Sequence, residues 1–103
     1  MAIAITKENF KSVVLESSEP VLVDFWAAWC RPCQMLGPIV ESLSEEVKGL
    51  AVVGKVNVDE QAELANQFRI MSIPTVLVFK GGKVVNSIIG VRSKDELRKA
   101  LGV

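Results

Sequence analysis

The stretch Val21-Leu-Val-Asp-Phe-Trp-Ala27 is apolar at every position except Asp24. A strand that alternates apolar and polar residues can leave one face in water, but this one cannot. It reads as the central strand of a sheet covered by helices on both faces. The rest of the chain must then supply neighbouring strands and two sets of helices. With 103 residues, half of them hydrophobic, there is enough apolar surface for one such core without structural disulfides or metal, and a single domain over residues 1–103 is expected.

Around that strand the other elements follow from spacing. Ala2 to Ile5 is predicted as a short first strand. Thr6 is placed as the N-cap of a helix reaching about Glu16, with Phe10, Val13 and Val14 on its apolar face and Ile5 and Phe10 as a hydrophobic staple. Leu36, Val40, Leu43 and Val47 mark a longer helix from Cys30 to about Val47, which accommodates Pro32 in its first turn and is expected to kink at Gly37 and Pro38. Ala51 to Asp59 reads as a third strand, with Val56 and Val58 alternating against Lys55, Asn57 and Asp59, and Gln61 to Phe68 as a short helix. Thr75 to Lys80 and Lys83 to Ile89 flank Gly81-Gly82, a hairpin signal that makes these two strands antiparallel. Ser93 and Glu96 form a capping box for a last helix through Leu97 and Leu101 to Gly102. The order implies an α/β fold, a three-layer α/β/α sandwich around a mixed five-stranded sheet with right-handed crossovers.

Charge narrows the partners. Twelve basic and twelve acidic residues cancel and are interspersed, so neither nucleic acid nor an anionic membrane is an expected partner. No apolar run approaches the roughly 18 residues of a membrane span, and the N-terminal residues lack a secretory pattern, so a cytoplasmic location is expected. The chain has no histidine. Cys-His and Ser-His-Asp catalysis are thereby excluded, leaving carboxylate, lysine or water to move protons.

The only two cysteines form Cys30-Arg31-Pro32-Cys33, directly after the central strand and at the start of a helix. Helical residues three apart have Cβ atoms about 5–6 Å from each other, so a disulfide can close with modest adjustment. Tetrahedral zinc would need two further ligands that the chain does not supply as cysteine or histidine. Cys30 faces unpaired helical N–H groups and the positive end of the helix dipole, which favour its thiolate and make it the nucleophile. Cys33, one turn deeper, is the expected resolving thiol. Asp24, a carboxylate in an apolar strand, is expected to have its pKa raised by burial.

Together, Val23-Asp24-Phe25-Trp26-Ala27-Ala28-Trp29-Cys30-x-Pro32-Cys33 and Ile73-Pro74-Thr75 resemble the thioredoxin family, and the order of elements matches over essentially the whole chain. The resemblance implies a general protein disulfide reductase with a thioredoxin fold and no cofactor. It would be recharged by a separate thioredoxin reductase and would act as a monomer on disulfide-containing proteins. It also implies that Pro74 is a cis-proline facing the disulfide, and that Asp24 exchanges a proton with Cys33 through water under the influence of Lys55. Trp29, Ile73, Pro74, Gly90 and Val91 would form the substrate surface, together with Arg31 and Pro32, and Trp26 would serve mainly as a core aromatic. One position departs from the pattern, because Arg31 stands where the family usually has glycine. A cation there favours the Cys30 thiolate and a more oxidising disulfide, so an oxidant or isomerase on the same fold is the alternative reading. A non-catalytic binding module is the other.

Overall fold

The computed structural model describes residues 1–103 as five strands and three α-helices with a short extra helical turn. The strands are β1 (Ile3–Ala4), β2 (Val21–Trp26), β3 (Val52–Asn57), β4 (Thr75–Lys80) and β5 (Lys83–Ile89), and the helices α1 (Arg31–Glu46), α2 (Ala62–Gln67) and α3 (Lys94–Leu101). They build one sheet in the order β1-β3-β2-β4-β5. Parallel pairing joins β1 to β3 and β3 to β2, and antiparallel pairing joins β2 to β4 and β4 to β5. The expected three-layer mixed sheet is therefore present, with the Val21 strand inside it.

Alternation along β2 divides the core in two. Leu22 points to the face where Leu36, Val40, Leu43 and Val47 of the α1 region meet Leu97 and Leu101 of α3. Val21, Val23 and Phe25 point to the other face, against Ile5, Phe10, Val14 and Leu64. There Phe68 and Phe79 meet edge to face with ring centroids 5.4 Å apart, a geometry that adds about 0.5–1.5 kcal/mol beyond area burial. Each fully buried Leu or Phe contributes about 1.5–3 kcal/mol, so covering both faces of β2 is a leading favourable contribution to the fold.

Several boundaries differ from the periodicity, each for a local reason. Thr6 does not cap the first helix through its side chain. Instead its N–H donates to Asn9 Oδ1 (2.8 Å) while Asn9 Nδ2 donates to the Ala4 carbonyl (3.0 Å), a two-way bridge that a hydroxyl makes less readily. The helical turn is short, Lys11–Leu15, and closes with a wide bond from Glu16 N–H to the Lys11 carbonyl (2.9 Å). The third strand stops at Asn57, not Asp59, because Asn57 Oδ1 accepts from the N–H groups of Asp59 (2.9 Å) and Glu60 (3.2 Å) and turns the chain. α1 continues through Gly37 and Pro38. The hairpin and the last capping box are as expected: Gly81 and Gly82 have φ of 60° and 77°, and Ser93 Oγ accepts from the Glu96 N–H (3.2 Å).

Gly54 of β3 is fixed by space. A Cβ there would lie 2.2 Å from Ile5 Cδ1 and 2.8 Å from Ile5 Cγ1, and Ile5 is itself 2% exposed. Gly54→Ala is expected to cost about 1–3 kcal/mol in equilibrium urea unfolding, and Ile5→Val, which shortens the obstructing side chain, should recover part of it. An unchanged midpoint in Gly54→Ala would show that Ile5 can move aside freely.

Candidate active site

The redox pair grows out of the end of the buried strand. After β2 the chain turns through Ala27 and Ala28, and Cys30 takes an extended conformation (φ −89°, ψ 113°) as the N-cap of α1. Its Sγ accepts the Cys33 N–H (3.2 Å), doing with sulfur what a serine oxygen does at other helix starts. Gln34 Nε2 ties the turn back to the Ala28 carbonyl (2.9 Å). Cys30 and Cys33 are joined as a disulfide across a Cα separation of 5.2 Å, and both residues are buried, with Ala27, Trp26, Val58 and Ile73 packed around them.

Two further segments converge on the sulfurs. The Ile73 carbonyl oxygen lies 3.8 Å from Cys30 Sγ, and the Ile73–Pro74 peptide is cis. Gly90 N–H donates to the Pro74 carbonyl (2.9 Å), which fixes the end of β5 beside the prolyl loop. Val91 follows it, part-buried against the α1 and α3 core. Trp29 is 71% exposed, and its indole Nε1 donates to Asp59 Oδ2 (2.9 Å). Arg31 and Pro32, the first two residues of α1, are exposed. Residues far apart in sequence thus meet around the disulfide, and the site is an open surface.

Asp24 lies on the α1 side of β2, in line with Leu22, and is completely buried. Neither carboxylate oxygen has a hydrogen-bond partner. Burial pushes its pKa up to about 7, with Lys55 opposing that rise and Glu41 adding to it. Lys55 is the register neighbour of Asp24 on β3, yet its ammonium is engaged elsewhere. It sits 3.7 Å from Glu41 Oε2 and 4.8 Å from the centre of the Trp26 ring. Trp26, expected mainly as a core aromatic, is only part-buried and carries this cation on its face. Trp26, Lys55 and Glu41 line a cavity of about 420 Å³ together with Ala2 and Ile5. None of Cys30, Cys33, Ile73 or Pro74 borders it. No cluster of three His, Cys, Asp or Glu side chains comes together to hold a metal ion.

Glu41 is the residue that sequence reading missed, although a signal existed: it adjoins Val40 at the border of the apolar stripe of α1, where a side chain can reach the sheet beneath. Asp59 as the indole acceptor left no such signal, because the pairing depends on how the turn at Asn57 folds.

Opening and closing the Cys30–Cys33 bond requires only these two sulfurs and a partner disulfide or dithiol, which puts the chain in the class of thiol–disulfide oxidoreductases. Comparison agrees. The thioredoxin family profile matches residues 1–102. A thioredoxin of Chlorobaculum thiosulfatiphilum is 48% identical over 96 residues, covering 93% of this chain and 89% of its own. Thioredoxin 1 of Nostoc sp. is 45% identical over 100 residues, or 97% and 94% of the two chains. A bifunctional thioredoxin reductase/thioredoxin of Mycobacterium leprae is 42% identical over 101 residues, which cover 98% of this chain and 22% of that protein. The chain belongs to the thioredoxin family and is a protein-disulfide reductase.

Asp24 also sets a pH dependence of stability. An ordinary aspartate titrates at 3.8 and the folded one at about 7, so between these values the folded state holds a proton that the unfolded state has released. Stability therefore falls as pH rises through that window and levels off above it. Asp24→Asn abolishes this slope, and its stability relative to the parent is expected to grow by about 4 kcal/mol between about pH 4 and about pH 8 in urea unfolding. Parallel pH profiles for the two proteins would mean that Asp24 ionises without penalty.

Proposed function

We propose that the Cys30 thiolate attacks a disulfide of a substrate protein. The substrate's second sulfur leaves as a thiolate, and a mixed disulfide with Cys30 forms. Cys33 then attacks Cys30 Sγ, so that the substrate sulfur bonded to Cys30 departs as the second thiolate and Cys30–Cys33 closes, two electrons having passed to the substrate. Asp24 takes the Cys33 proton through water as Cys33 becomes nucleophilic. The observation that carries this order is the Cys33 N–H aimed at Cys30 Sγ (3.2 Å), a donor that stabilises negative charge on Cys30 at the helix start. Trp29, Ile73, Pro74, Gly90 and Val91 form the surface that receives the substrate chain, with Pro32 and Arg31 at its helical border.

The dithiol chemistry needs no metal or organic cofactor. Electrons return from a thioredoxin reductase, which suits a reducing compartment such as the cytoplasm. The protein works as a monomer, because a partner copy seated on the disulfide would exclude the substrate. The described helices include none long and apolar enough to cross a membrane.

A second reading, with the disulfide acting as an oxidant, is favoured by one observation. Arg31 is exposed at the first position of α1, next to the nucleophile, and makes no ion pair that would occupy its charge.

With a disulfide-bonded model protein as substrate, Cys30→Ser is expected to abolish reduction. Cys33→Ser should accumulate a covalent adduct visible by mass spectrometry, and normal turnover by Cys33→Ser would remove it from the resolving role. Redox titration in thiol/disulfide buffers tests Arg31. The parent is expected near the thioredoxin range, about −270 mV, and Arg31→Gly should be more reducing, each tenfold change in the equilibrium constant being about 30 mV. A parent potential at or above about −180 mV would put the oxidant reading first, and identical potentials would leave Arg31 without influence.

A further inference from the structure

Asp24 and Lys55 face each other across the β2–β3 ladder, and a buried carboxylate with a lysine one strand away would ordinarily pair with it. They do not pair here. The carboxylate has no hydrogen-bond partner, and the ammonium is held by Glu41 and the Trp26 ring. Glu41 divides its oxygens: Oε2 faces Lys55 Nζ (3.7 Å) and Oε1 accepts the Ala2 N–H (2.8 Å), so it also fastens the N-terminal segment along the edge of the cavity.

We propose that Glu41 is a positioning residue that withholds the Lys55 ammonium from Asp24, so that the buried carboxylate keeps the proton affinity its exchange with Cys33 requires. The inference rests on the proton-transfer role given to Asp24 above. Other charged groups around Asp24 leave Glu41 and Lys55 in control. β4 presents Val76 opposite it, and α3 presents Leu97 and Leu101 on the same side of the sheet. From the N-terminal segment the Met1 ammonium is taken by Glu45. Glu60 borders the cavity from the turn after β3, and α1 contributes Cys33 once the disulfide is reduced. Of these, the influences that move Asp24 after burial itself are Lys55 and Glu41, in opposite directions.

Glu41→Gln is the informative change, because the amide keeps an acceptor for the Ala2 N–H and loses only the charge. With the oxidised protein, ¹³C-carboxyl NMR titration is expected to place the Asp24 midpoint lower in Glu41→Gln by about one pH unit or more, as an opposite charge does once within about 4–6 Å. In a Lys55→Gln background the same substitution should move Asp24 far less, since there is no ammonium to release. An unmoved or raised midpoint overturns the proposal. So does an equal shift in both backgrounds, which would make Glu41 a simple like charge. The pH profile of mixed-disulfide resolution separates this from the reading it rests on. If the Asp24 midpoint falls and the acid limb of the profile falls with it, both stand. If the midpoint falls and the profile stays, Glu41 positions Lys55 as stated, and it is the role of Asp24 in proton transfer that fails.

Discussion

Covering β2 on both faces is the constraint on which the rest depends. Two apolar faces on one strand require helices above and below, and the chain meets that demand with α1 and α3 on one side and the first helical turn and α2 on the other. The same arrangement brings the strand out at Ala27 directly beneath the first turn of α1, so the helix that closes one layer also begins at the redox pair. Packing and chemistry thus share a segment: shifting β2 by one residue would turn Asp24 to the opposite face and move the cysteines relative to the prolyl loop.

The fold was largely legible because its signals are local. Periodicity placed both hairpin strands at their observed bounds, and the residues of Ser93-Lys-Asp-Glu specified their own cap. Boundaries failed where a side chain competed with the ladder, as Asn57 does at the end of β3 and Asn9 does in place of Thr6. In the site, spacing sufficed for Cys30 and Cys33, and burial for Asp24. The partner of Lys55 was not legible, because it depends on which of two carboxylates lies nearer to one flexible side chain in three dimensions. The meeting of Ile73, Pro74 and Gly90 around Cys30 came only from the family resemblance, since no local pattern encodes contact between a loop and a helix forty residues away in the chain.

Charge in the interior is arranged in two zones that use opposite physics. At the sulfurs, the Cys33 backbone N–H at the helix start is aimed at Cys30 Sγ, a donor for negative charge. At Asp24, on the strand that leads into that helix, burial favours the neutral form. The nucleophile and the base proposed above call for these opposite settings, and one strand-to-helix connection provides both.

β5 carries a different consequence. It forms one margin of the sheet, with Val84, Val85 and Ile89 exposed along it. An unpaired margin of this kind is a template on which a second chain can crystallise into a growing ribbon. Val85 interrupts it: Val78 pairs with Asn86 and Phe79 with Val84, so Val85 is skipped and the spacing of donors and acceptors is broken midway. Lys80 and Lys83 put paired positive charges at its hairpin end. A second copy arriving margin to margin would meet a broken register and like charge, so the strand leaves its apolar residues in view without offering an even ladder for ribbon growth.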